Sequence, residues 1–132
     1  MIYALILATC AAALVARTAL LVVTVRGGSM VPAYQDGDRV LALRWLAPRR
    51  GRVVVFRPPA TWMVGPNPPY FVKRVVAVAG DTLGAEVVPR GRLVVYGDSP
   101  ISTDSRTFGY LPAKAVRAVV VVSLARTRAP HR

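Results

Sequence analysis

Two residues of this chain have the side chains needed for nucleophilic catalysis without a histidine. Ser29 stands in "VRGGSMVP", after two glycines that leave the backbone open to an approaching carbonyl. Lys73 stands in "PYFVKRVVAVAGD", inside an otherwise apolar run. A lysine covered by apolar neighbours loses hydration, so its neutral amine is favoured and its pKa falls. Such an amine can accept a proton near neutral pH, whereas arginine keeps its proton in proteins. The chain uses 16 arginines and two lysines, so a lysine kept beside Arg74 points to a demand beyond charge. A serine hydroxyl next to a neutral amine is an activated nucleophile, the Ser–Lys variant of triad logic. The one histidine, His131, is next to the last residue, where a frayed end cannot hold a catalytic imidazole. Taken singly, each residue has an ordinary reading: a loop serine, and a lysine snorkelling from a strand edge to water.

These side chains need a frame. Alternation along a strand puts Phe71, Lys73, Val75 and Ala77 on one face and Val72, Arg74, Val76 and Val78 on the other. The runs "RVLAL", "GRVVVFRP", "YFVKRVVAVA", "RLVVYG" and "KAVRAVVVVSL" are short and valine-rich, as strands are. Gly37-Asp38, Gly80-Asp81 and Gly97-Asp98 mark turns between them, as does the loop "PPATWMVGPNPPY". No helical period continues past the N-terminal run. The fold class is therefore all-β: a small folded-over sheet or partial barrel, behind one N-terminal transmembrane helix. In "STDSRTFG", Asp104 lies two residues before Arg106, a spacing that suits a local ion pair or turn clamp.

Residues 2–25 carry one charge, Arg17, and as a helix would span roughly 36 Å, enough to cross a bilayer. The β-branched end, "LLVVTV", suits a strand better. The expected organisation is an anchor over 1–20, a catalytic domain over 21–124 and a basic tail over 125–132. A cleavable signal peptide would have a basic start, which is missing, and "LATC" is a poor lipoprotein box. The net charge of +12 favours an anionic partner; with an apolar run present, that partner is the lipid bilayer. Nucleic-acid binding would rest on charge alone and is not expected. A positive-inside count would keep the basic domain in the cytoplasm, but that rule weakens for long translocated domains. The single cysteine, Cys10, excludes an intrachain disulfide and a cysteine-based metal site. No cofactor is implied.

The motifs "GGSMVPAYQDGDRVL", "GRVVVFRPP", "FVKRVVAVAGD" and "YGDSPISTDSRTFGYLP", in this order, resemble the type I signal peptidase family, the membrane-anchored Ser/Lys leader peptidases. The resemblance covers roughly residues 24–122. It implies a serine endopeptidase that removes signal peptides from exported precursors after small residues, Ala-x-Ala-like, at the extracytoplasmic side of the cell membrane. By this resemblance Ser29 is the nucleophile and Lys73 the general base. Ser102 orients the lysine, and Asp104 and Arg106 form a supporting ion pair. The Ser29 N–H is one oxyanion donor, and Met30, Phe71 and Val72 help line pockets for small residues at −1 and −3. The sequence departs from the family pattern at Ala33, Ala77, Ala79 and Ser99. Gly27 stands where some members carry an oxyanion-stabilising hydroxyl, and the family's larger inserted domain is absent between Asp81 and Leu93. Two other classes compete. A non-catalytic, membrane-tethered basic β domain binding lipid or a protein partner explains the anchor and charge but not the three boxes. A self-cleaving Ser/Lys protease of the repressor type would carry a DNA-binding domain where this chain has an apolar run.

Overall fold

The computed structural model describes residues 1–62 and 70–125; part of the "PPATWMVGPNPPY" loop and nearly all of the basic tail lie outside them. Helix α1 (Ile2–Ala19) is apolar all round, with mean hydropathy 1.8, long enough to cross a membrane, and Ala19 is its one buried residue. Ile2, Leu5, Leu7 and Leu14 are each more than 60 % exposed, so this surface requires an apolar surrounding that the other described residues do not supply. Its threonines bond within the helix, Thr9 Oγ1 to the Leu5 carbonyl and Thr18 Oγ1 to the Val15 carbonyl, as hydroxyls in an apolar medium must. The helix stops at Ala19, two leucines before the β-branched run 22–25 and one residue earlier than the sequence suggests. Strand β1 (Leu20–Thr24) follows at once and pairs with β2 (Arg39–Leu43).

Besides two single turns of 3-10 helix (Ala60–Trp62 and Ala113–Ala115), the remaining elements among the described residues are β3 (Val53–Phe56), β4 (Phe71–Val78), β5 (Thr82–Leu83), β6 (Glu86–Val87), β7 (Arg92–Tyr96), α2 (Ser105–Phe108), β8 (Leu111–Pro112) and β9 (Val116–Ala125). Seven strands form one sheet, β1-β2-β9-β3-β4-β7-β8, curled into a half-barrel, and β5 and β6 form a separate hairpin. All the pairings are antiparallel. The fold is thus mostly β behind one apolar helix, as the valine-rich runs indicate.

Both faces of the sheet are covered. Val53, Val55 and Val72 join Val23, Val40 and Met30 in one core; Val54, Phe56 and Val75 join Trp62, Val95 and Leu111 in the other. Hence β3 reads "VVVF" without alternation, and all four residues are buried. Phe56 sits at the heart of the second core, edge-on to Trp62 and Phe71 at 5.6 and 5.8 Å.

The alternation expected for β4 holds only to Val75. A register shift lies between Val75 and Ala77, so an extra residue, Val76, enters the strand. Beyond it Ala77 packs with Val88 and Val94, while Val78 joins the core of Phe71 and Val75. A bulge reverses the facing of everything after it, which corrects the expectation that Ala77 shares the Lys73 face. The helix α2 is the α-helix that follows the anchor among the described residues. At four residues it is too short to show a period.

Phe56→Ala should lower the stability of the full-length protein in detergent by about 3–5 kcal/mol, the cost of a cavity at a packed aromatic site. Chemical denaturation measures it.

Candidate active site

Strand β4, the segment before Ser29 and the loop after β7 wall a cleft of about 460 Å³. Its lining includes Ser29, Lys73 and Ser102, together with Phe71 and Val72. Lys73 and Ser102, 44 and 73 positions after Ser29, are thus brought to it by pairing of β4 with β7 and by one backbone bond, from Ser99 N–H to the Ser29 carbonyl at 2.8 Å.

Lys73 is 5 % exposed. Phe71 and Val75 flank it along β4, Val54 stands opposite on β3, and its Nζ lies 5.6 Å from the centre of the Phe71 ring. Its amine donates to Ser102 Oγ at 3.1 Å; among the described residues it makes no hydrogen bond to Ser29, with which it shares the cleft. Burial pushes the Lys73 pKa down from 10.5 to about 8, against the opposing pull of Asp104 and with a smaller push from Arg106. Removing water from an ammonium favours its neutral form.

Asp104 is fully buried. It caps α2, accepting from Arg106 N–H at 3.0 Å, and accepts from Gly97 N–H at 2.8 Å. The Arg106 guanidinium donates to both of its oxygens, at 3.1 and 2.7 Å. Burial alone would raise the Asp104 pKa, but the bonds from Arg106, from the Gly97 and Arg106 N–H groups and from Ser102 outweigh it and hold it at about 2. Arg106 also donates to the Gly97 and Ser99 carbonyls at 3.1 and 3.0 Å and covers the Tyr96 ring. One ion pair therefore fastens both ends of the loop that presents Ser102.

Met30 is placed differently from its expected role. It is fully buried in the core that contains Val72 and does not line the cleft, so it supports the floor from beneath. Tyr70, Ile101, Thr103 and Arg26 line the cleft as well, none of them singled out by the sequence reading. Two further supports were missed. Arg74 grips Asp98 through two bonds of 2.9 Å each and donates to the Gly51 carbonyl at 2.8 Å, tying β4 to the Ser102 loop. Gly97 is wedged in the site: a Cβ there would stand 2.5 Å from the Ser29 carbonyl oxygen, 2.7 Å from Ser102 Cβ and closer still to the Ser102 hydroxyl. The signal for the first was an arginine and a Gly-Asp pair in neighbouring motifs; the close approach at Gly97 has no signal beyond the glycine itself.

A family model described as signal peptidase, peptidase S26, matches residues 1–86. That is well over half of the chain, and the chain belongs to this family. The match takes in Ser29 and Lys73; Ser102, Asp104 and Arg106 lie beyond it. None of the curated proteins compared matches the chain.

Two outcomes follow. The Lys73 shift corresponds to a cost of about 3 kcal/mol while the lysine is charged in both folded and unfolded states, that is, below pH 8. The cost fades as pH rises from about 8 to 10.5, because only the unfolded chain still binds the proton there. Lys73→Met should therefore stabilise the protein by about 1–3 kcal/mol at pH 7, part of the gain being lost with the Ser102 bond, and the gain should shrink above pH 8. Denaturant titrations across pH measure it. Gly97→Ala should cost about 1–3 kcal/mol by overpacking, with Ser102 moved off the Lys73 amine; denaturation gives the cost and a crystal structure the displacement.

Proposed function

We propose that this signal peptidase family member is a membrane-anchored serine endopeptidase in which Ser29 is the nucleophile and Lys73 the general base. The observation that carries the reading is the one cleft lined by Ser29, Ser102 and a buried lysine amine with a pKa near 8. At pH 7 about a tenth of such an amine is neutral, against less than a thousandth of an ordinary lysine. Ser102 holds it by one bond, and the Ser29 hydroxyl is its second partner when substrate fills the cleft.

The Ser29 proton passes to Lys73 Nζ as Oγ attacks the scissile carbonyl carbon. The oxyanion is met by the Ser29 N–H. When the C–N bond breaks, the Lys73 ammonium returns its proton to the leaving amine, leaving an acyl-serine. Lys73, neutral again, then takes a proton from water, whose oxygen attacks the ester carbonyl; as the C–O bond to Ser29 breaks, the Lys73 ammonium returns that proton to Ser29 Oγ and the acid product leaves. Asp104 and Arg106 act through Ser102, as positioning residues.

The substrate lies extended along β4, read by backbone bonds with alternate side chains tested. Phe71 and Val72 shape the pockets that admit small residues at −1 and −3, so precursors with Ala-x-Ala ends are its substrates. Helix α1 holds the enzyme in the cell membrane with its catalytic domain on the extracytoplasmic side, where signal peptides emerge.

Single-turnover cleavage of an Ala-x-Ala precursor in detergent tests the reading. Ser29→Ala and Lys73→Ala should each lose at least about 10²–10⁴-fold in rate, and Lys73→Arg should be as inactive as Lys73→Ala, because charge is kept but the proton acceptor is gone. Ser102→Ala should lose less, about 10–100-fold. Wild-type rate should rise with pH through a midpoint near 8, since the neutral amine is the active form. Substantial activity in Lys73→Arg, with the same pH profile, would show that Lys73 is not the base.

A further inference from the structure

Among the described residues lining the cleft, Arg26 is the one charged residue besides Lys73, and none is an acid. Its backbone is pinned on both sides. Val25 donates to the Asp38 carbonyl at 2.7 Å and accepts from Gly37 N–H at 2.8 Å. Gly27 N–H donates to Asp36 Oδ1 at 2.8 Å, with Gly27 at a φ of +78° that a side chain would resist. Val25 is buried, while Arg26 between these anchors is exposed at the cleft. Asp36 is the nearest acid along this segment, yet it serves the Gly27 N–H. Among the described residues the ion pairs are Arg50–Asp81, Arg74–Asp98 and Arg106–Asp104, and Arg26 has none. A guanidinium carried on a pinned stretch of backbone, with no ion pair among the described residues, on the wall of the cleft, is a ready partner for a carboxylate.

We infer that Arg26 selects precursors carrying an acidic side chain two or four residues before the scissile bond. This rests on the peptidase reading above. Arg26 precedes Ser29 by three residues, at most about 10 Å of extended chain, which places its guanidinium within reach of a substrate residue a few positions from the attacked carbonyl. In an extended substrate, residues at −1 and −3 turn into the Phe71 and Val72 wall, so −2 and −4 turn to the rim, where Arg26 is exposed.

The test is a peptide series with Ala-x-Ala fixed and Asp, Ser or Lys placed at −2 or at −4, cleaved by full-length wild type and Arg26→Glu in detergent. At one of these positions wild type should prefer Asp over Lys by about tenfold in kcat/KM, carried by KM and diminished by salt. Arg26→Glu should invert the preference, favouring Lys. The reading uses only the Asp-to-Lys ratio within each enzyme, so any general change in rate cancels. The inference is overturned if the ratio is the same in both enzymes at both positions while the Ser peptide is cleaved. If the Ser peptide itself is not cut by wild type more than by Ser29→Ala, the peptidase reading falls and this inference with it.

Discussion

Lys73 carries its amine on a sheet face where Phe71 and Val75 flank it and Val54 stands opposite, and the removal of water there sets everything else in the site. A charged lysine in that place costs stability, and the molecule carries the cost at neutral pH. The rest of the local structure limits it. Ser102 gives the amine one hydrogen bond. Asp104, ionised behind Ser102, attracts the ammonium but is itself neutralised by Arg106, so its pull does not restore an ordinary lysine. Without Arg106 a bare buried carboxylate would stand near the amine and favour its charged form, against its proposed role as a base. The pair is best understood as a fixed support whose charge has been spent.

The β-sheet positions these groups through its middle. Strand β3 is buried on both faces, so β4 beside it is held in one register, and a slip of one residue would carry Lys73 to the opposite face. The loop after β7 is then bound to β4 by Arg74 and Asp98, to the serine segment by the Ser99–Ser29 backbone bond, and to itself by Arg106. Gly97 lets all three approach. The Ser29 segment, the Lys73 amine and the Ser102 hydroxyl are thus brought to one cleft from three separate stretches of chain.

Much of this was legible in the residues. The helix was readable because a run of eighteen residues with a single charge, Arg17, and mostly apolar side chains has no other way to be satisfied, and the strands because valine-rich runs were punctuated by Gly-Asp turns. Lys73 was conspicuous because a cation inside "YFVKRVV" contradicts its surroundings, and Asp104 and Arg106 because they stand two residues apart. What was not legible depends on contacts between distant segments. The bulge at Val76 leaves no mark on a run of valines and alanines, since either facing looks equally apolar. The grip of Arg74 on Asp98 and the wedge at Gly97 exist only once β4 and β7 are paired. Met30 was a pocket residue by the family resemblance alone, and its burial in the core with Val72 shows only once the strands are packed. Arg26 was passed over as one arginine among sixteen, and only its place on the cleft wall distinguishes it.

The central claim is that the Lys73 amine is largely desolvated and titrates far below an ordinary lysine. The chain has two lysines, Lys73 and Lys114, so protein labelled with ¹³C-lysine in detergent gives two side-chain Cε resonances, assigned with Lys73→Arg. Following the Lys73 resonance across pH measures its protonation directly, independent of any substrate. The account predicts a midpoint near 8. A midpoint at the ordinary value of 10.5 would contradict it, leaving a buried hydrogen bond to Ser102 but no base at neutral pH.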